Sequence, residues 1–304
     1  MPLRDSRSSA PVGSMLSEIP TCLPPDRHPR RSSLELPPGS VDCHTHVFES
    51  RYPLSPDRGY NPPDSTLADM LAMHAQIGIE RVVFTQPSVY GVDNSAILDA
   101  MAAIPDRARA VVALDSTVTD EELIHLDRLG VRGVRLNLDN KGGMPIPLSA
   151  VPALARRIAE LGWHLEFLFR GEELPDLAGL FRSLSVPVSI GHFAYMPARQ
   201  GVDFPPFRLL LELLAEGSTW VKLSGPNRLR IGDLPPWPEA IPLAQAMIEV
   251  RPDRLVWASD WPHPNKYDAQ PNDADLIEQL ALWAPDPDVR RRILVDNPSV
   301  LYRF

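Results

Sequence analysis

Past residue 40 the chain carries eight short runs of apolar and β-branched residues, each followed by a stretch with helical spacing. The runs are Val41–Phe48, Arg81–Gln86, Ala108–Asp115, Val131–Leu138, His164–Phe169, Pro187–Phe193, Thr219–Gly225 and Leu255–Pro262. Most are continuously apolar rather than alternating, the pattern of parallel strands buried on both faces. The intervening faces include Leu67, Met70, Leu71, His74 and Ile77 after Asp64 or Ser65 as N-cap, then Ile97, Leu98, Met101 and Ile104. Gly78, Gly130, Gly162 and Gly217 stand just past helix ends, where a left-handed residue is wanted. Strands alternating with helices imply right-handed βαβ units, and eight of them predict an α/β fold, a closed (β/α)8 TIM barrel. A doubly wound sheet is the alternative. The first strand lacks the Gly-x-Gly-x-x-Gly turn that such a fold uses for dinucleotides.

The 304 residues divide on this reading into an N-terminal arm, 1–36, and a single barrel domain, 37–304. The arm is rich in Pro, Ser and Arg and has no apolar period, so it is expected to be flexible or extended over the fold. Met15 offers an alternative start, and the arm lacks the apolar stretch of a secretory signal. No apolar run is long enough to span a membrane. Acidic residues outnumber basic ones 39 to 30, a net charge of −9, which argues against nucleic-acid partners and anionic membranes. Two cysteines cannot build a disulfide framework, so the expected location is the cytoplasm. The sequence sets no oligomeric state.

In a barrel of this kind the reactive groups come from the C-terminal ends of the strands. Strand one ends in Asp42-Cys43-His44-Thr45-His46, strand six in Gly191-His192 and strand eight in Ser259-Asp260-Trp261-Pro262-His263. His44 and His46, two apart, share a face. A lone His-x-His or a lone Asp is an ordinary structural feature. Four titratable groups on three strand ends are harder to explain as packing, because burying them unpaired is costly. Asp260 is the candidate general base, with His44, His46 and His192 either polarising a carbonyl as hydrogen-bond donors or holding one divalent metal together with Asp260, zinc by ligand type. A binuclear site would want a further bridging ligand such as a lysine on strand four, and Val131–Leu138 contains none.

An acidic substrate needs local arginines set against the global charge. Arg135 and Arg228 are the preferred pair, with Arg132 and Arg170 as further candidates; Arg132, an odd number of residues from Arg135, should point the other way. Ser88 and Asn94 after strand two, Tyr60 in the long loop after strand one, Tyr195 after strand six and His263 after strand eight complete the expected substrate contacts. The side faced by Glu166 is open, and His164 is expected to be structural at the bottom of strand five.

The set His44-x-His46, His192 and Asp260, with the phrases VDCHTHVF, VVFTQPSVYGVDNSAILDAM, VRGVRLN, WASDWPHPN and LVDNPSVLYRF, resembles the amidohydrolase superfamily. Within it the likeness is to the branch of 2-pyrone-4,6-dicarboxylate lactonase and related lactone hydrolases, over residues 37–304. The resemblance implies hydrolysis of a lactone or related cyclic ester bearing an acidic group, a small-molecule partner, and either no metal or a single divalent one, since the branch contains both kinds. It also implies departures. The family's pyrone lactonase has an Arg just after the strand-six His, where this chain reads His192-Phe193-Ala194-Tyr195-Met196-Pro197, and a strand-five Tyr where Leu168 stands. One carboxylate contact is therefore missing or supplied from elsewhere, with Arg199 as a candidate, and a substrate with one acidic group is expected. Alternatives are a zinc-dependent decarboxylase of the same superfamily and a small-anion binding protein without turnover.

Overall fold

The computed structural model describes residues 19–304. Residues 1–18, with half of the expected arm and Met15, lie outside the described residues. Eight parallel strands run in the order of the chain: β1 (Val41–Thr45), β2 (Arg81–Thr85), β3 (Ala108–Val112), β4 (Val131–Asn137), β5 (His164–Leu168), β6 (Val188–Ile190), β7 (Thr219–Ser224) and β8 (Leu255–Ala258). Helices α1 (Leu67–Ile77), α2 (Ser95–Ala103), α3 (Asp120–Leu129), α4 (Val151–Ala159), α5 (Leu174–Ser183), α6 (Pro205–Glu216), α7 (Ala240–Val250) and α8 (Asp273–Trp283) follow them in turn. The result is a nearly closed (β/α)8 barrel. Two short helices, α9 (Pro287–Arg291) and α10 (Asn297–Tyr302), end the chain.

The apolar strands face two ways. Val82, Phe84, Ala110 and Val112 pack outward into the large core shared with the helices. Val41, Cys43, Val83, Val111, Val256 and Ala258 form a separate inner cluster with Trp220, Leu301 and Tyr302, so α10 plugs the barrel floor. Gly133 on β4 makes this interior possible beside β5: a Cβ there would lie 2.7 Å from the His164 ring. His164 is indeed buried against Tyr302, with ring centroids 5.3 Å apart.

The strands are shorter than the apolar runs and the helix caps differ in detail. The N-cap of α1 is Thr66, not Asp64 or Ser65: Asp69 N–H donates to Thr66 Oγ1 at 3.2 Å and the Asp69 carboxylate accepts from Thr66 N–H at 3.0 Å, a reciprocal capping box. Gly78, Gly130 and Gly217 do take left-handed conformations at the ends of α1, α3 and α6.

Between β1 and β8 closure depends on the loop beyond β8. His46 N–H donates to Trp261 O at 2.9 Å and Asp260 N–H to His44 O at 3.0 Å. Residues 19–36 run along the outside as a strap. Cys22 and Leu23 bond Asn61 and Lys266 through their backbones, and Arg30 grips Asp275 and Glu278 of α8 at 2.7 Å. Among the described residues no helix is long and apolar enough to cross a membrane.

Candidate active site

The residues at the barrel mouth are brought together by an irregularity in β1. Its pairing with β2 shifts between Asp42 and Thr45, a bulge that lets Cys43 join the inner cluster while His44 also turns inward. Asp42 holds the bulge from outside: its Oδ1 accepts from His44 N–H at 3.2 Å and Ser259 N–H at 3.0 Å, and its Oδ2 lies 3.1 Å from His74 Nε2 on α1.

After β6 the chain makes a left-handed turn. His192, Phe193, Ala194 and Tyr195 have φ of 49°, 53°, 55° and 47°. Left-handed non-glycine residues cost roughly 1–2 kcal/mol each, so packing must enforce the turn. The rings of His192 and Tyr195 stack 5.5 Å apart, Ala194 N–H donates to Gly191 O at 2.9 Å, and His192 Nδ1 lies 2.7 Å from Ser224 Oγ. Asp260 is also left-handed, at φ 66°, a conformation that aspartate tolerates better than most residues.

These devices aim three imidazoles at one oxygen. Asp260 Oδ1 lies 3.8 Å from His44 Nε2, 3.8 Å from His46 Nε2 and 3.4 Å from His192 Nε2. All four residues are buried. Arg228 Nε donates to the other oxygen, Oδ2, and its terminal nitrogen to Pro264 O at 2.8 Å. Burial alone would raise the Asp260 pKa. Arg228, then His192, His46 and His263, outweigh it and hold the carboxyl well below its usual range. Burial, followed by Arg135, lowers His46 to about 3, and burial lowers His192 to about 4 against the opposing pull of Asp260. The histidines are therefore neutral at physiological pH, each with one N–H and one lone pair. His46 Nδ1 sits 2.7 Å from Thr85 O, which can only accept, so its bare nitrogen is Nε2.

A small cavity lies directly above this cluster. Of the residues expected from the sequence, His46, His192, Asp260, Arg135, Arg228, Ser88, Tyr60 and Tyr195 line it, and His44 lies just behind. Asn137, Leu168, Asn140 and Asn265 add to its wall. Arg170 stands outside it, paired with Asp139 at 2.7 Å in a contiguous depression that also holds Arg230 and Lys266.

Four further expected contacts are not brought to the cavity. Arg132, three residues before Arg135 and so on the opposite face of β4, pairs with Asp127 at 3.1 Å. Asn94 spends its amide on the backbone of Ala113, tying the loop after β2 to the end of β3. His263 turns to Asp273 of α8, 3.1 Å away. Arg199 is exposed and faces Glu239. Glu166, undecided from sequence, faces the interior, where Lys222 Nζ donates to its Oε2 at 2.5 Å. Lys222 escaped the sequence reading. Its one signal was a lone charge within the apolar strand Thr219–Ser224.

His44, His192 and Asp260 offer ligand atoms within 4.8 Å of one another, a spacing and chemistry that by themselves suit a divalent cation. Their surroundings do not. An Arg135 nitrogen stands 3.4 Å from His44 Nε2, and Arg228 already occupies Asp260. Arg135, Arg228 and Lys222 already set three positive charges around His44, Asp260 and Glu166 before any ion enters. In this arrangement the donor set does not fit a resident divalent metal.

Residues 41–304 match the amidohydrolase family model. A 4-sulfomuconolactone hydrolase from Hydrogenophaga intermedia is 36% identical over 288 residues, covering 93% of this chain and 95% of the relative. A 2-pyrone-4,6-dicarboxylate hydrolase from Comamonas testosteroni is 35% identical over 285 residues, covering 90% and 93%. A crystal structure from Acinetobacter baumannii, described as a probable 2-pyrone-4,6-dicarboxylic acid hydrolase with citric acid bound, superposes with a TM-score of 0.76 at 28% identity, over 88% of this chain and 100% of its own. The chain belongs to the amidohydrolase family and is an enzyme of that superfamily.

Proposed function

We propose that this chain hydrolyses a lactone, or a related cyclic carboxylic ester, that carries an acidic group. The observation that carries the reading is the convergence of three imidazoles on Asp260 Oδ1 beside Arg135 and Arg228. The lactone hydrolases among its relatives support ring opening over decarboxylation, and no contact in the site favours the latter.

Hydrolysis needs a nucleophilic water, an electrophilic carbonyl and a place for developing charge. Asp260 Oδ1 faces the imidazoles, so a water held between them can attack the carbonyl carbon as Asp260 takes its proton. The carbonyl oxygen becomes an oxyanion and draws on N–H donors from the histidine cluster and Arg135. When it collapses, the ring C–O bond breaks and the proton passes from Asp260 to the departing oxygen, leaving a hydroxy acid or its enol. Every proton is accounted for without a metal. Arg228 serves the acidic group of the substrate. Arg170, Arg230 and Lys266 give the outer depression its positive charge.

A pH-stat assay of small lactones with wild type and Asp260→Asn tests this reading. The amide should lose about 10²- to 10⁴-fold in kcat while folding is intact, the range for a positioned base, and dialysis of wild type against a chelator should leave its rate unchanged. An Asp260→Asn enzyme as fast as wild type on the best substrate would remove Asp260 from the chemistry; a chelator-silenced wild type would remove the metal-free route.

A further inference from the structure

We propose that Lys222 is a positioning residue that fixes His44 as the tautomer with its proton on Nε2, so that the two histidines of the strand-one pair present opposite hydrogen-bonding faces to the substrate. Lys222 lies in the middle of β7 and is completely buried. An ammonium group has three N–H donors and no lone pair. Lys222 Nζ has three acceptors: Glu166 Oε2 at 2.5 Å, the Cys43 carbonyl oxygen at 2.7 Å and His44 Nδ1 at 3.1 Å. Its donors are all used only if His44 Nδ1 accepts.

The other groups around His44 agree. Glu166 Oε1 is 3.3 Å from the same Nδ1, but that approach lacks the alignment of a hydrogen bond, whereas the Lys222 contact has it. On the far side Arg135 stands 3.4 Å from Nε2, and it too can only donate. A neutral imidazole has one lone pair and cannot accept from both cations. The shorter contact belongs to Lys222, and Arg135 has another acceptor in the Gln86 carbonyl at 3.1 Å. A doubly protonated ring would add a positive charge between the Lys222 ammonium and the Arg135 guanidinium and leave one Lys222 N–H without its acceptor. The Nε2 proton then points toward Asp260 Oδ1 and the space above it.

His46 is the reverse, with Nδ1–H given to Thr85 O and Nε2 bare. The ring centroids are only 4.9 Å apart. One ring therefore donates to a carbonyl oxygen where its neighbour accepts from water, a division of labour that two like tautomers could not provide. A His44 held this way has no lone pair for a cation, which explains in bonding terms why the cluster suits a metal poorly. The inference deepens the proposed hydrolysis by giving His44 its donor role, yet it can be tested without any substrate.

Long-range 1H–15N correlation spectra of histidine-labelled protein read the tautomer directly, with the His44 signals identified by their loss in His44→Gln. In the wild type the pattern of a neutral ring protonated at Nε2 is expected. A proton on Nδ1, or exchange between the two nitrogens, overturns the proposal, whatever the substrate proves to be. In Lys222→Met, Nδ1 loses its donor and faces Glu166, so the proton should move to Nδ1. If that variant does not fold, the neutral pair Lys222→Met with Glu166→Gln carries the same comparison, since the glutamine oxygen can accept from Nδ1–H. A folded variant of either kind that keeps the wild-type pattern shows that Lys222 does not set it.

Discussion

Arg228 donates to Asp260 Oδ2 and to the Pro264 carbonyl, and it is the guanidinium nearest the reacting carboxylate. A substrate acid that takes this fork exchanges one charge-assisted pair for another, which makes the residue a reader of acidity. Arg228→Met should raise KM for acidic lactones by about 10- to 100-fold, the worth of one hydrogen bond to a charged group, and leave neutral esters much less affected. Equal effects on both classes in initial-rate kinetics would refute the assignment. At this scale legibility followed the strand ends. His44, His46, His192 and Asp260 announce themselves because titratable groups interrupt apolar runs where a barrel opens. Alternation also sent Arg132 away from Arg135, as found. The sequence could not show that Asn94 and His263 spend their side chains on Ala113 and Asp273, because those partners lie in other βα units. Lys222 stayed hidden for the same reason: a lysine in a buried strand is intelligible only once Glu166 is seen across the barrel.

Elements were legible in kind and order but not in their irregularities. The eight runs became eight strands, while the bulge in β1 and the left-handed turn after β6 carry no periodicity that could betray them. Both depend on contacts with other elements. Asp42 joins β1 to the segment after β8 through Ser259, and to α1 through His74, while holding His44 N–H in the bulge. Removing its carboxylate leaves several buried donors without an acceptor. Asp42→Ala should cost on the order of 3–5 kcal/mol, since each buried donor left without an acceptor costs roughly 1–3 kcal/mol, and lower the melting temperature by roughly 10 °C in a chain of this size. A calorimetric midpoint equal to wild type would show that the seam between β1 and β8 holds without Asp42. The fall in activity should exceed the loss of folded protein at a temperature where both are native, since the same carboxylate orients His44.

For the molecule as a whole two fields compete. The chain carries −9 overall, and an acidic substrate approaching from a distance is repelled. At the barrel mouth the balance reverses: the outer depression is lined by Arg170, Arg228, Arg230 and Lys266 against Asp139 and Asp233, and Arg135 lies beneath in the inner cavity. Salt separates the two influences by sign. Screening acts over a Debye length of about 10 Å at 0.1 M, so it weakens both the distant repulsion and the local attraction. If the mouth governs capture, kcat/KM for an acidic lactone falls severalfold between low and about 0.5 M salt, while a neutral ester shows no such trend. If the overall charge governs it, the same rate rises. The four cations sit within one depression at the entrance, closer to an arriving anion than most of the 39 acidic residues, which are spread over the whole chain. Interaction energy falls with distance and screening steepens that fall. The rate should therefore drop with added salt, and a rise would mean that substrate capture does not pass through this cationic entrance.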